Sequence, residues 1–332
     1  MIAAPRIRFA LALAACWSML CVPLSAGAVS DAAADEPAAA GERVEQAPLA
    51  QAAEPAQAQA LNPAPAPAEA PAVRSRGIAR VPAIKSEFAL VVDQDTDEVL
   101  MQKNPGEISS IASITKLMTA MVTLDAALPL DEELQVSNAE RTAAGWRGSA
   151  LHPGVRLTRA QALHLALMSS ENHAAQLLGR TYPGGVEALV AAMNAKAREL
   201  GMSDSNFADP TGLNVQNRSS ANDLVRMVKA AYGYPEIREY SVSTEYDLHM
   251  GKHSVRYHNT NHLTSHPGWQ IGLQKTGYIE AAGRCLVMQT VIQGRRVVMV
   301  LLDSIGRYSR FADAQRIRDW LMRAAAEKPG TL

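Results

Sequence analysis

The sequence predicts an α+β domain: an antiparallel sheet built from both ends of the domain, flanked by helices, with a helical insertion between its first and last strands. Two observations carry this. β-like runs cluster near residues 88–103 and again near 269–303, and helical periodicity fills the interval and closes the chain.

Phe88 to Asp93 (FALVVD) and Glu98 to Lys103 (EVLMQK) are β-like runs joined by the polar QDTD, which predicts a hairpin. Near the other end, RCLVMQTVI and RRVVMVLLD flank Gln293-Gly294, a favoured two-residue hairpin turn, and WQIGLQKTGY just before them alternates as a third strand. Between these clusters the signals are helical. Thr158 and Gln161 form a capping box for RAQALHLALM, GGVEALVAAMNAKARELG runs as a helix that stops at Gly201, and Ser219 or Ser220 caps ANDLVRMVKAAYG. A last helix, from about Phe311 to Ala326, carries Ile317, Trp320 and Leu321 on one side. No internal repeat is visible.

Only part of the 332-residue chain is expected to fold. Met1 to Ala28 has Arg6 and Arg8, an apolar run from Phe9 to Leu24, and Ala26-Gly27-Ala28, the pattern of a cleaved secretory signal. A membrane span is the weaker reading, because the run is short and Pro23 interrupts it. Leu13-Ala14-Ala15-Cys16 also resembles a lipobox, but the residues after Cys16 stay apolar, so lipid anchoring there is disfavoured. Residues 29–80 are rich in Ala, Pro, Glu and Gln, the composition of a disordered linker. The globular domain is then 81–332. Of three cysteines, signal cleavage leaves only Cys285, in an apolar run, so packing is its expected role and the mature chain has no intrachain disulfide. A formal charge of -1 without a long basic run argues against nucleic acid as a partner.

Three polar stations interrupt this pattern. In SITKLMTAMVTL the residues Ile114, Leu117, Met118, Met121 and Val122 recur at helical spacing, and between Glu107 and Asp125 the only charge is Lys116. Ser113 and Lys116, three apart, share a helical face, and burial lowers a lysine pKa toward the range of a general base. In the first turn, Ser113 also has backbone N–H groups and the helix dipole close by. The competing reading makes Ser113 an N-cap and Lys116 a snorkelling cation. The second station, Ser170-Glu171-Asn172, lies where one helix ends and another begins; either its side chains point into a cleft, or Ser169 or Ser170 caps the second helix. The third, Lys275-Thr276-Gly277, sits on a strand: a cation and a hydroxyl for a carboxylate, with glycine admitting a ligand backbone. Its alternative is an exposed edge strand with a gatekeeper lysine.

Ser-x-x-Lys, Ser-x-Asn and Lys-Thr-Gly in that order form the motif set of penicillin-binding proteins and serine β-lactamases. Together with FADPTGLN, SSANDL, NTNHL and KTGYIEAAGRCLVM, they make the stretch from about Ser86 to Trp320 resemble the serine D-alanyl-D-alanine peptidases, the low-molecular-mass penicillin-binding proteins. SSENHAA, NAKARELGM and NTNHL look most like the D-alanyl-D-alanine endopeptidase branch, the penicillin-binding protein 7 type. The resemblance implies a serine β-lactamase/DD-peptidase-like fold and, by position, roles for nine residues. Ser113 would be the acylated nucleophile, Lys116 its base, and Ser170 and Asn172 the opposite wall, assisting proton transfer and holding substrate or Lys116. Lys275, Thr276 and, across an alignment gap, Arg310 would bind the substrate carboxylate, with Gly277 in the same substrate-binding strand; the N–H groups of Ser113 and Tyr278 would form the oxyanion hole. No cofactor is implied. The implied partners are peptidoglycan stem peptides and β-lactams as covalent inhibitors, with other cell-wall enzymes as candidate partners, in the periplasm.

Carboxypeptidases of this family usually continue into a β-rich domain and an amphipathic membrane anchor, and a chain that stops soon after its last helix without a C-terminal anchor is expected to be the endopeptidase type, cutting D-alanyl to meso-diaminopimelyl cross-links. Carboxypeptidase activity and an inactive peptidoglycan-binding scaffold are the alternatives. No Glu-x-x-Leu-Asn follows the second motif, so slow release of bound penicillin is expected. His249, His253, His258, His262 and His266 have metal-like spacing, but spacing by four aligns ligands only on a helix, and Gly251, Asn259, Asn261, Pro267 and Gly268 argue against one. No metal site is expected.

Overall fold

The computed structural model of the chain describes residues 81–144 and 149–326. The expected signal (1–28), linker (29–80) and Cys16 lie outside the described residues. The central sheet has five strands: β1 (Ser86–Asp93), β2 (Val99–Lys103), β3 (Gln270–Ile279), β4 (Gly283–Ile292) and β5 (Arg295–Ser304). Their order across the sheet is β2-β1-β5-β4-β3, every neighbouring pair antiparallel. The pairing of β1 with β5, Ser86 opposite Ser304 and Val92 opposite Val298, brings the two ends of the domain together as expected. At the β4–β5 turn Gln293 and Gly294 both take positive φ, 52° and 75°, the geometry that matches the twist of a tight hairpin.

Both faces of this sheet are covered, which is why β4 and β5 read as unbroken apolar runs rather than alternating ones. Leu90, Val92, Val287, Val298, Val300 and Leu302 face the helical layer, whereas Ala89, Val91, Leu286, Met288, Val297, Met299 and Leu301 face the C-terminal helix. That helix, α8 (Ser309–Ala326), buries Phe311, Ala314, Ile317 and Trp320 against them, with Leu321 half-buried beside them. Buried Asp313 ties α8 to the start of β1 by accepting from the Ser86 amide and hydroxyl, both at 2.8 Å.

The insertion between β2 and β3 holds α1 (Thr115–Asp125), α2 (Asn138–Ala144), α3 (Arg159–Met168), α4 (Asn172–Arg180), α5 (Gly185–Glu199), α6 (Ala221–Ala231) and α7 (Pro235–Val242). The capping box of Thr158 and Gln161 opens α3, Gly201 follows α5 at φ 69°, and Ser220 rather than Ser219 caps α6 by accepting from the Asp223 amide. Cys285 is free and fully buried in the helical-side core, where burial raises its thiol pKa to about 12. A hairpin of Glu245–Met250 and His253–His258 lies outside the expected strands, although its signal was present: EYDLHM alternates polar and apolar residues before Gly251, and Tyr246, Leu248 and Met250 are the side turned to the core. Among the described residues no helix is long and apolar enough to cross a membrane.

Candidate active site

Ala112–Ile114 form a short 3-10 turn that leads directly into α1. Ala112 takes φ 47°, a conformation unfavourable for a residue with a Cβ, and the turn leaves Ser113 half-buried rather than folded into the core. Ser113 caps nothing: the N-cap position of α1 is Ile114 and makes no side-chain hydrogen bond. Ile114, Leu117, Met118, Met121 and Val122 are all buried, as their spacing predicts, and Lys116 is buried with them at 0% exposure. It does not snorkel.

The Lys116 Nζ lies 2.9 Å from Ser113 Oγ, 2.8 Å from Asn172 Oδ1 and 2.6 Å from the Thr211 carbonyl oxygen. Burial lowers its pKa from 10.5 to about 7, a shift that the charges of Asp209 and Glu171 oppose. A neutral amine has two N–H donors and one lone pair. The Thr211 carbonyl and the Asn172 amide oxygen can only accept, so they take the two hydrogens, and the lone pair is left for the one neighbour that has a proton to give, the Ser113 hydroxyl. This is the arrangement of a base addressed to a single hydroxyl.

Asn172 is the first residue of α4, and the cap of that helix is Glu171, whose carboxylate accepts from the His173 amide. Neither Ser169 nor Ser170 caps it. Ser170 has φ 61° and is half-buried at the junction; it is not among the hydrogen-bond partners of Lys116. The left-handed kink at Ser170 sets the direction from which α4 presents Asn172.

Lys275 and Thr276 lie on β3, the edge strand of the sheet, yet they are 0% and 5% exposed. A solvated gatekeeper is therefore ruled out. Lys275 Nζ donates to the Thr276 carbonyl at 3.0 Å, and burial, then the nearby cations Lys116 and Arg310, hold its pKa well below the ordinary lysine value. A substrate carboxylate supplies the opposite charge that favours the ammonium. Gly277 has a different reason from the one its motif suggests. A Cβ there would lie 2.9 Å from the Ile111 carbonyl oxygen and 3.3 Å from the Ser113 nitrogen, so glycine is what lets β3 close against the turn carrying Ser113. Tyr278 follows; its side chain is 55% exposed with the Arg284 guanidinium 4.2 Å over its ring, and only its backbone adjoins the cluster. Arg310 comes into the same region from the first turn of α8. It is 7% exposed, stacks 4.1 Å over the Phe311 ring and donates to the Arg307 carbonyl, while its Nε has no hydrogen-bond partner among the described residues. Burial, with Arg284 beside it, lowers its pKa to about 10.

Sequence reasoning gave no role to two supporting segments. In Asp209-Pro210-Thr211-Gly212 the Asp209 carboxylate accepts from the backbone of Thr211, Gly212 and Asn214, which fixes the Thr211 carbonyl on Lys116. A Cβ at Gly212, φ 84°, would sit 1.9 Å from the Ala112 carbonyl oxygen. The Asp-Pro-Thr-Gly turn signature was the available signal. The other segment contains Thr260, whose hydroxyl is 2.6 Å from that of Thr276 and whose amide donates to the Met168 carbonyl at the end of α3. Nothing in the sequence pairs Thr260 with Thr276.

The histidine run does not converge. His249 and His253 lie near the hairpin tip, His258 at its base, and His262 packs against Phe311 with ring centroids 4.4 Å apart. Among the described residues no group of three or more His, Cys, Asp or Glu side chains is placed to hold a metal ion.

Known proteins share this architecture. A D-alanyl-D-alanine endopeptidase of Escherichia coli is 44% identical over 245 residues, 73% of this chain and 79% of its own length. One of Pseudomonas aeruginosa is 45% identical over 247 residues, 74% and 80%. Among solved structures, a Streptomyces DD-transpeptidase matches with a TM-score of 0.68 and 26% identity over 74% of this chain and 98% of its own. A Mycobacterium tuberculosis D-alanyl-D-alanine carboxypeptidase matches with a TM-score of 0.69 and 27% identity, over 77% and 98%. The family described as D-alanyl-D-alanine carboxypeptidase matches residues 76–306. With that match on a serine, a buried lysine and a Lys-Thr-Gly strand that meet in one cleft, the chain belongs to the D-alanyl-D-alanine carboxypeptidase family of serine peptidases.

Proposed function

We propose that this protein is a penicillin-binding D-alanyl-D-alanine endopeptidase that cuts the D-alanyl to meso-diaminopimelyl cross-links of peptidoglycan in the periplasm, entering through a signal at 1–28 that leaves a linker at 29–80 and a catalytic domain at 81–332. The observation that carries it is the buried Lys116 amine, whose hydrogen-bond partners among the described residues include one proton-giving group, the Ser113 hydroxyl 2.9 Å away. Ser113 Oγ attacks the D-alanyl carbonyl as its proton passes to Lys116, and the oxyanion is held by the N–H groups of Ser113 and Tyr278. The bond to the diaminopimelyl nitrogen then breaks, and that nitrogen takes the proton from Lys116 with Ser170 assisting. Water hydrolyses the acyl-enzyme by the reverse transfer, releasing a D-alanyl carboxylate. Asn172 keeps Lys116 in register. Lys275, Thr276 and Arg310 bind the carboxylate beside the scissile bond, and the unpartnered Nε of Arg310 supports this. β-Lactams carry a carboxylate and a strained amide in the same relation and acylate Ser113.

The endopeptidase names of the two relatives at 44% and 45% identity support this reading over simple release of terminal D-alanine. Mass analysis of purified cross-linked muropeptides after digestion separates the two: dimers become monomers if the proposal holds, whereas loss of D-alanine from pentapeptides with dimers intact overturns it. An inactive scaffold is distinguished by fluorescent penicillin, which labels wild type and not Ser113→Ala if Ser113 is the nucleophile.

A further inference from the structure

Beside Arg310 an open groove of about 600 Å³ runs between the first turns of α8 and the His262–Ser265 turn, lined by His262, Leu263, Tyr308, Phe311, Ala312 and Gln315. Both of its walls are continuous with the carboxylate site. One wall follows Thr260, bonded to Thr276 and two residues before His262; the other adjoins Arg310, whose guanidinium stacks on the Phe311 ring that lines the groove. Tyr308 stands 60% exposed and Ile305 80% exposed at this end of the helix, an unusual outlay of apolar surface. None of the six lining residues takes part in the chemistry above.

We propose that this groove is the leaving-side subsite for the second strand of a cross-link, and that it holds the methylene arm of the diaminopimelyl residue. The proposal rests on the endopeptidase reading and deepens it. In a cross-link the carbon bearing the leaving nitrogen also carries the carboxylate and a short aliphatic arm that leads to the rest of the second peptide. Once that carboxylate is held by Lys275, Thr276 and Arg310, the arm has to depart from the same place. The groove adjoins that place through Phe311, offers Tyr308, Phe311 and Leu263 to the methylenes, and has the His262 imidazole to meet a peptide group beyond. A terminal D-alanine carries only a methyl at that carbon and does not reach the groove. The groove is thus a device for preferring cross-links over free ends.

The test uses the full chain, with Tyr308→Ala to remove one wall and Ala312→Glu to fill the floor; both positions are exposed, so the fold tolerates the changes. Each buried methylene is worth about fourfold in binding, so the loss of one wall is expected to lower kcat/KM for a purified cross-linked dimer about tenfold, ~1.4 kcal/mol. D-alanine release from a monomeric pentapeptide and acylation by fluorescent penicillin are expected to stay within about twofold, since neither places atoms in the groove. Undiminished dimer cleavage in both variants overturns the groove alone, as does an equal fall on all three substrates. A wild type that releases D-alanine but leaves dimers uncut overturns the endopeptidase reading, and the groove with it.

Discussion

Raising the pH from 6 to 8 carries Lys116 through its pKa, so the second-order rate of penicillin acylation reports whether this amine is the base. With a pKa of about 7, roughly one-tenth of the protein carries a neutral Lys116 at pH 6 and about nine-tenths at pH 8. The rate is therefore expected to rise about tenfold across this interval and to level off above pH 8. Timed labelling with fluorescent penicillin at low occupancy measures the profile. A lysine of ordinary pKa gives no plateau below pH 9, the rate climbing about tenfold per pH unit; that result, or a flat profile, would refute the assignment. The same displacement has a stability consequence. The fall from 10.5 to about 7 is worth about 5 kcal/mol at full burial. Because the folded pKa lies below the unfolded one, the unfolded chain binds the extra proton between the two values. Below about pH 7 the whole penalty applies; between 7 and 10.5 it is progressively relieved, so stability rises with pH in that window. Urea unfolding at pH 7 and pH 9.5 is expected to show this rise in wild type and a smaller one in Lys116→Met.

Gly277→Ala forces a methyl to 2.9 Å from the Ile111 carbonyl and displaces the Ser113 turn, so acylation is expected to fall by more than about tenfold for a stability loss of only about 1–3 kcal/mol; an unchanged labelling rate would show that the strand yields without moving Ser113. Thr260→Val removes the hydroxyl that orients Thr276, and a KM increase of about fivefold with kcat nearly unchanged is expected, the worth of one hydrogen bond. Restored KM in Thr260→Ser checks that the hydroxyl, not the packing, is responsible. Asp313→Ala leaves the Ser86 amide and hydroxyl without their acceptor and is expected to cost about 2–4 kcal/mol in urea unfolding, with the penicillin acylation rate of the folded fraction unchanged.

Much of the fold was legible because its signals are local. The Gln293-Gly294 turn, the Thr158–Gln161 capping box and Gly201 act within a few residues, and the apolar spacing around Lys116 stated that its helix would be buried. The order of the three motifs was legible for the same reason. The hairpin at 245–258 carries a local signal too, the alternation of Glu245-Tyr246-Asp247-Leu248-His249-Met250 before Gly251, which the expected strands did not include. Glu171 displaced the serines as the α4 cap because the kink at Ser170 turns the backbone before the helix begins.

By itself the sequence pointed to the residues proposed to carry the chemistry and predicted that Lys116 would be surrounded by apolar side chains. Only the tertiary structure brought Asn172 and Thr211, 56 and 95 residues away, onto the Lys116 amine, where they take two hydrogens and leave its lone pair to Ser113. It likewise decided that Gly277 serves the approach of strand to turn and that Thr260 meets Thr276. Periodicity and caps are set by neighbours along the chain, whereas hydrogen-bond valence and close approach are set by neighbours in space, which the order of residues does not record.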